Sequence, residues 1–232
     1  MKKLVYVTGD THGDRDRLSM MALRGIKAGD TLIICGDFGF VWDNSKEEQK
    51  FIKKLGKRKY NICFIDGTHD NFSLLKGYEQ SEWNGGKVHK IYGNIYHLMR
   101  GQVFTIEGKT FFTMGGGESP DIDMRSDNES WDRDEIPSRE DLLEGIKSLE
   151  NHNGKVDYFI THEPPAKIKS FLNLQQDNIR FTVLNTYFEQ LSNDCSFTRW
   201  FFGSLHIDKF ISTTHVSVFK NIINVETGEK LR

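Results

Sequence analysis

Residues 4–13, LVYVTGDTHG, decide the fold, because a short apolar run stops there at a glycine followed by an acid and a histidine. The apolar part, 4–7, is too short for a helix and ends at turn residues, which is typical of a buried strand. Two more apolar runs end in the same way, with helix-like stretches between the runs. These runs are 31–35 and 61–65, ending in Gly36-Asp37 and Asp66-Gly67, and the helix-like stretches cover about 14–27 and about 45–57. The alternation predicts a parallel sheet covered by helices on both faces.

The remainder of the chain has a different pattern, in which short strands follow one another with fewer helices between them. A polar, acidic stretch runs from Gly117 to about residue 137 and indicates a long functional loop. Strands are predicted within 87–100, 102–114 and 156–161 and in a series from 200 to the end, with helices over about 138–151 and about 178–191. This mixture predicts an α/β fold with two packed mixed sheets and helices outside them, in a single domain over residues 1–232.

Charge and composition exclude several classes of protein. Lys and Arg number 31 against 33 Asp and Glu, a formal net charge of −2, whereas dedicated nucleic-acid binders usually carry a strong basic excess. The three cysteines show no CxxC spacing, so neither a disulfide framework nor a cysteine-rich zinc site is indicated. The first apolar run is too short for a signal peptide, and no stretch is long enough to span a membrane. We therefore expect a cytoplasmic protein with no membrane partner.

The basic run at residues 53–59, KKLGKRK, is the one local feature that suggests nucleic acid. It lies at the end of a helix-like stretch, and cations are stabilised near helix C-termini. The run is therefore interpreted as a solvated helix end.

Four of the eight histidines lie directly after predicted strands, beside Gly, Thr or Pro. They are His12, His69, His162 and His206. Asp10 and Asp37 follow the first two strands in the same way. In open α/β sheets ligands bind outside the carboxyl ends of the strands, and carboxylates combined with imidazoles suit a borderline divalent metal. These residues predict a metal site at the strand ends.

Five motifs, taken in their order along the chain, resemble those of the calcineurin-like metallophosphoesterases. The motifs are Asp10-x-His12, Gly36-Asp37, Gly67-x-His69-Asp70, Thr161-His162 and Gly203-x-x-His206. The resemblance covers the whole chain, and the middle region also resembles a bacterial branch of that family. It implies a four-layer α/β/β/α sandwich of two mixed sheets, with a two-metal centre at the strand ends.

The resemblance also implies a ligand set for each metal. The first set is complete and consists of Asp10, His12, Asp37 and His206. The second set would comprise Asp37, His162, an Asn and a His, but the last two positions are Thr68 and Ser204. Neutral hydroxyls are poorer ligands than imidazole, and disturbing even an outer partner of a metal weakens binding about 10–100-fold. We expect Mn, Fe or Zn in a strong first site, and a second site that is weak or empty.

The activity implied is metal-dependent hydrolysis of phosphomonoesters or phosphodiesters by activated water. His69 would protonate the leaving oxygen, oriented by a carboxylate such as Asp70. Many relatives carry a further Asp after the bridging one, and that position here is Phe40. Asn71 and Arg125 are candidate substrate contacts, since an arginine can grip a phosphate with two hydrogen bonds. The alternative for Arg125 is an exposed, ion-paired side chain.

Two classes of function therefore remain after the sequence is read. The first is a phosphatase or phosphodiesterase that acts on a phosphorylated small molecule or a phosphodiester; a nucleotide substrate is possible, and nucleic-acid binding is not expected. The second is a catalytically impaired phosphoesterase-fold protein that works as a binding or regulatory module, which Thr68 and Ser204 favour. The complete first ligand set and His69 favour the enzyme, because a scaffold has no physical need for them.

Overall fold

The computed structural model describes residues 2–119, 132–172 and 180–231, and two β-sheets form its framework. The strands of the first sheet are β1 (Val5–Thr8), β2 (Thr31–Cys35), β3 (Asn61–Ile65), β4 (Gln80–Trp83), β5 (Gly86–Tyr92), β6 (Ile95–Leu98) and β13 (Ile223–Asn224). Their order across the sheet is β13-β1-β2-β3-β6-β5-β4. The four strands β1, β2, β3 and β6 are parallel, and antiparallel pairs lie at both edges. The parallel strand ends therefore meet at one side of this sheet.

The second sheet has the same design with the parallel strands in its centre. Its strands are β7 (Gln102–Ile106), β8 (Lys109–Met114), β9 (Tyr158–Thr161), β10 (Arg199–Phe202), β11 (Lys209–Phe210) and β12 (His215–Ser217). Their order is β11-β12-β10-β9-β8-β7. The pairs β8–β9, β9–β10 and β10–β12 are parallel, and β7 and β11 pair antiparallel at the edges. Both sheets are mixed, as the sequence predicts.

Helices cover the outer faces of the two sheets. They are α1 (Lys46–Leu55), α2 (Phe72–Lys76), α3 (Arg139–Glu150), α4 (Ala166–Leu172) and α5 (Val183–Asp194), with a 3-10 turn at Arg133–Glu135. Ser45 caps α1, and reciprocal capping boxes start α3 at Ser138 and α5 at Thr182. No helix within the described ranges has the length and apolar character that crossing a membrane requires.

Three apolar clusters fill the spaces between these layers. The first lies between the sheets and joins side chains of β1–β3 to Phe104, Phe111, Ile160 and Phe201 of the second sheet. The other two lie on the outer faces, one under α1 and α2 and the other under α3 and α5. The arrangement is the four-layer α/β/β/α sandwich. Alternate residues of each strand enter different clusters, which explains why the central strands are apolar throughout.

The helix expected over residues 14–27 does not form, and that prediction is wrong. The segment is a series of turns. Asp14 Oδ1 accepts a hydrogen bond from the Asp16 amide and Ser19 Oγ accepts one from Ala22, so side chains compete with helical bonds. Arg17 is drawn inward to the carbonyl oxygens of Asp10 and Phe219. The short elements β4, α2 and α4 were not expected from the sequence.

Candidate metal centre

The carboxyl ends of β1 and β2 place two carboxylates side by side. Asp10 is fully buried two residues after β1, and Asp37 is 2% exposed two residues after β2. The amides of Thr11 and His12 both donate to the carbonyl of Asp37, at 3.1 and 2.8 Å, and tie the two strand ends together. A shared edge of parallel strands is therefore what converts two distant sequence motifs into one site.

Three residues at this edge have left-handed backbones although none is a glycine. They are His12 with φ 46°, Asp37 with φ 42° and His206 with φ 51°. A residue with a side chain loses about 1–2 kcal/mol in this region, and such positions concentrate at functional sites. The conformation turns each chain sharply out of its strand end, so that the side chain faces the others.

Four side chains converge closely enough to bind one ion. A ligand atom from each of Asp10, His12, Asp37 and His206 lies within 4.8 Å of every other. His206 Nε2 is 2.9 Å from Asp10 Oδ2, and His12 Nε2 is 3.1 Å from His206 Nε2. The structure thus brings together the four residues predicted for the first metal, which come from both sheets.

The donor set fits a divalent metal. Both oxygens of Asp10 are buried, and within the described residues no donor is aligned with either of them, which is costly for a carboxylate unless a cation is bound. Two carboxylates with two imidazoles match the ligand preference of Mn, Fe and Zn. The exposed faces of His12 and His206, with side chains 39% and 47% exposed, leave this cluster open to solvent.

His162 lies beneath the four-residue cluster rather than in it. Its side chain is 2% exposed, with Nδ1 3.5 Å from Asp10 Oδ1 and Nε2 3.9 Å from Asp37 Oδ1. Nδ1 is also 3.2 Å from the carbonyl oxygen of Cys35. His162 therefore faces both buried carboxylates from the second sheet.

The two substituted positions lie beside His162 and His69. The amide of Ser204 donates to the carbonyl of His162 at 3.0 Å, and its buried Oγ has no hydrogen-bond partner within the described residues. Thr68 Oγ1 is 2.9 Å from His69 Nδ1.

His69 lies against the carboxylate of Asp37. Its backbone amide donates to Asp37 Oδ1 at 2.8 Å and its Nδ1 is 3.0 Å from Asp37 Oδ2. Its ring packs edge-on against His12 with centroids 5.8 Å apart. With its side chain 44% exposed, His69 combines a fixed position at the cluster with access to a substrate.

Asp70 organises the backbone of the site. Its two oxygens accept hydrogen bonds from the amides of Gly39 and Gly67, at 3.2 and 2.9 Å. The sequence suggested that Asp70 orients the His69 ring, whereas the carboxylate 3.0 Å from that ring is Asp37. Phe40, at the family's additional Asp position, is buried and stacks on Phe51. It belongs to the apolar core.

The electrostatics follow from two buried carboxylates surrounded by imidazoles. Burial alone would raise the pKa of Asp10 and of Asp37, but His162 and the other imidazoles lower both below the ordinary value. In return, the carboxylates raise the pKa of His162 against the effect of its burial, and the contact of His206 Nε2 with Asp10 Oδ2, at 2.9 Å, raises the pKa of His206. Burial, followed by the charge of Asp37, raises the pKa of Asp70 to about 7. The carboxylates of Asp10 and Asp37 are thus held ionised, and this is the state that binds a cation.

Two glycines are required by close approach at the centre. Gly36 has φ 111°, and a Cβ there would overlap Nδ1 of His162. A Cβ at Gly67 would overlap Oδ1 of Asp37. The glycines of the Gly36-Asp37 and Gly67-x-His69 motifs therefore make room for ligand atoms.

Of the two predicted substrate contacts, only Asn71 lies within the described residues. Asn71 caps α2, with Oδ1 accepting from the Leu74 amide and Nδ2 donating to the Trp42 carbonyl at 2.7 Å. Its polar atoms are thus occupied by structural bonds. Arg125 lies outside the described residues.

Two residues that the sequence did not single out support the centre. Arg17 donates to the carbonyl of Asp10 at 2.7 Å, which fixes the turn after β1. Glu48 is buried and accepts hydrogen bonds from the amides of Trp42, Asp43 and Asn44, which fixes the loop that follows Asp37. A Ser45-x-x-Glu48 pattern gave a signal for Glu48 as a capping residue, whereas Arg17 had none.

The sandwich of two mixed sheets and the carboxylate–imidazole cluster at its strand ends define the class of metal-dependent phosphoesterase folds. A family model for calcineurin-like phosphoesterases matches residues 3–216, and the chain belongs to this family. No curated protein matches the chain.

Proposed function

We propose that this protein is a phosphatase or phosphodiesterase that hydrolyses its substrate with water activated by a divalent metal. The observation that carries the proposal is the convergence of Asp10, His12, Asp37 and His206 at the strand ends of a calcineurin-like fold. The proposed metal is Mn, Fe or Zn. The proposed substrate is a phosphorylated small molecule or a phosphodiester, nucleotides included, and the proposed location is the cytoplasm.

In this proposal the metal and the residues of the chain carry out different parts of the hydrolysis. A divalent metal bound there would supply a nucleophile from water near neutral pH and would stabilise charge on the phosphoryl oxygens. His69 is exposed next to Asp37 and is the proton donor to the leaving oxygen in this proposal. Asp70 accepts hydrogen bonds from the backbone amides of Gly39 and Gly67, and these bonds keep His69 and Asp37 in position relative to each other.

The proposal includes one strong metal site and one weak one. His162 and Asp37 are the remaining family ligands of the second metal, and their nearest side-chain atoms are 3.9 Å apart. Thr68 and Ser204 offer hydroxyls where the family has an amide and an imidazole. Occupancy of the second site would therefore need much more metal than occupancy of the first.

Metal analysis combined with two assays tests the proposal. Protein incubated with Mn²⁺ and then desalted should retain about one ion per chain and hydrolyse a phosphodiester or a phosphomonoester nitrophenyl substrate. The substitution His69→Ala should lower kcat about 10²–10⁴-fold without changing metal content, whereas His152→Ala should change neither. If wild type retains no metal and the substitution His69→Ala changes nothing, the proposed metal-dependent enzyme is refuted.

The second candidate function, a binding or regulatory module, is favoured by Thr68 and Ser204. The same measurements distinguish it from the enzyme. The double variant Thr68→Asn/Ser204→His restores both family ligands. A rise to two ions with a sharp gain in activity supports an enzyme with a weakened second site. If wild type holds its metal, hydrolyses neither substrate and gains no activity in the double variant, the module is the better description.

A further inference from the structure

A concentrated positive surface contains none of the predicted metal ligands, although one of its cations, Arg17, also supports the turn after β1. Residues 17–29 contain three cations and no acid, and residues 50–59 contain six cations and no acid. The nine cations are Arg17, Arg24, Lys27, Lys50, Lys53, Lys54, Lys57, Arg58 and Lys59. We call the surface formed by these two segments the basic patch. Since the whole chain has a net charge of −2, the rest of it carries an excess of acid.

The two segments form one continuous surface. Arg58 donates through Nη2 to the carbonyl of Leu18 at 3.5 Å, and the amide of Gly29 donates to the carbonyl of Lys59 at 2.7 Å. Arg15, just before the first segment, places its guanidinium 5.4 Å from the ring centroid of Phe51. The turns that replace the expected helix at 14–27 thus pack against the C-terminal half of α1.

Most lysines of the basic patch have no acidic partner among the described residues. Lys50, Lys53, Lys54, Lys57 and Lys59 are all exposed, and none has an ion-pair partner within the described residues. Elsewhere in the chain several lysines are paired, such as Lys76 with Asp134 and Lys167 with Glu189. The helix-end explanation accounts for the position of Lys53 and Lys54 in the last turn of α1, but not for the absence of acids from both segments.

Apolar side chains project from the same surface. Met20 and Met21 are 66% and 78% exposed. They lie beside a groove of about 510 Å³ that is also lined by Leu18, Phe51 and Leu55 and by the cations Arg15, Lys54 and Arg58. Among the described residues that line this groove there is no acidic side chain. The surface therefore combines unpaired positive charge with flexible, unbranched apolar groups.

This composition fits one kind of partner better than others. Protein interfaces favour arginine and aromatic residues and are poor in lysine, whereas six of the nine cations are lysines. Single-stranded nucleic acid needs aromatic platforms for its bases, but Phe51 is half-buried and has Arg15 over its ring. Lysine clusters with exposed apolar side chains are instead the features that attract proteins to anionic lipid headgroups.

We propose that the basic patch docks this protein reversibly on an anionic phospholipid surface. The lysines contact the headgroups, and Met20 and Met21 enter the boundary between headgroups and acyl chains. The expectation of no membrane partner rested on the lack of an apolar span, which docking on a surface does not require. The proposal is independent of catalysis.

Vesicle co-sedimentation of the full-length protein tests the proposal. Vesicles of phosphatidylcholine with 30% phosphatidylglycerol are compared with pure phosphatidylcholine at low and high salt. Binding to the anionic vesicles should be at least tenfold stronger than to neutral ones and should fall steeply with salt. The variant Lys53→Glu/Lys54→Glu/Lys57→Glu should lose binding at least tenfold, and Met20→Ser/Met21→Ser severalfold.

Matched variants separate the patch from general charge. Lys90→Glu/Lys147→Glu/Lys155→Glu makes the same change in net charge at exposed lysines elsewhere. Leu143→Ser/Val183→Ser removes exposed apolar groups from helices α3 and α5, outside the basic patch. Circular dichroism establishes that each variant is folded. Equal binding to neutral vesicles, no sedimentation with anionic vesicles, equal losses in the matched variants, or tighter binding of a uridine oligomer than of vesicles would each overturn the proposal.

Discussion

Gly36 brings the backbone of β2 into close contact with His162 at the metal centre. Its φ of 111° lies outside the range that residues with a side chain adopt readily, and an added Cβ would overlap His162. The glycine therefore allows β2 to end directly beneath an imidazole that faces both buried carboxylates. The sequence motif Gly36-Asp37 indicated the carboxylate, while the reason for the glycine became visible only with the position of His162.

Replacing Gly36 with Ala should destabilise the protein by about 3 kcal/mol, since left-handed strain and overlap with His162 act together. For a chain of this size that corresponds to a fall of roughly 6–12 °C in Tm. Thermal unfolding by circular dichroism measures it. Gly108→Ala is the control, because Gly108 also has a positive φ, 73°, but nothing within 4 Å of an added Cβ. Equal losses in the two variants would contradict the overlap with His162.

His89 should make the protein sensitive to acid. It is 5% exposed, and burial followed by the proximity of His97 lowers its pKa from 6.5 to about 4. The unfolded chain therefore takes up a proton below about pH 6.5 that the folded chain does not accept until about pH 4. Stability is fully present above pH 6.5 and falls as the pH drops, by about 2 kcal/mol from this group at pH 5 and about 3 kcal/mol at pH 4.

Urea unfolding at pH 7 and pH 5 measures this contribution. The loss of stability between the two values should be smaller in His89→Gln than in wild type, since glutamine does not titrate. Comparing each protein with itself at the two pH values cancels the direct effect of the substitution on packing. An identical acid-induced loss in both proteins would show that His89 does not contribute.

At the scale of elements, the loop between β2 and α1 is held by the helix that follows it. Glu48, in the first turn of α1, accepts three hydrogen bonds from consecutive amides of that loop. The loop begins at Asp37, so residues 38–44 connect the metal centre to the helix cap at Ser45. The sequence predicted the helix α1, but a pattern of spacing does not show that the carboxylate of Glu48 binds a preceding loop.

Glu48→Ala should destabilise the protein by about 2 kcal/mol, because three partly buried amides lose their acceptor. Glu47→Ala is the matched control: Glu47 is exposed one residue earlier in the same turn and should contribute only about 0.5 kcal/mol through the helix dipole. Urea unfolding at pH 7 compares the two. The interpretation would be wrong if both substitutions had the same small effect.

The elements also show where sequence reasoning reached its limit. Strands β2 and β3 have the predicted bounds because each is an unbroken apolar run that two packed layers bury. The stretch 14–27 has helix-forming residues, yet Arg17 is drawn to carbonyls of Asp10 and Phe219, the latter more than 200 residues away. Such a contact is set by tertiary structure, and no local propensity reveals it.

For the whole molecule, the metal should stabilise the folded state in proportion to its affinity. A ligand at one hundred times its Kd adds about 2.7 kcal/mol, which is roughly 5–11 °C in Tm for a chain of this length. Differential scanning fluorimetry with increasing Mn²⁺ should show this shift. The variant His206→Gln should lose most of it, and His152→Gln should retain it. An unchanged shift in His206→Gln would place the metal elsewhere.

The residues that meet at the site could be predicted from the sequence, but the hydrogen bonds that orient them could not. Asp10, His12, Asp37 and His206 were identifiable because each follows a strand with a glycine nearby, and the parallel sheets then bring them together. The orientation of His69 by Asp37, and the backbone role of Asp70, depend on hydrogen bonds of about 3 Å that spacing does not specify.

The centre takes Asp10 and Asp37 from one sheet and His206 from the other, across almost two hundred residues of chain. Neither sheet by itself could offer more than part of the ligand set, so a chain with only one sheet formed would not recognise the ion. Metal capture would then belong to the last stage of folding. An interaction that forms after the transition state slows unfolding and leaves the refolding rate unchanged. The ion would therefore prolong the lifetime of molecules that are already folded.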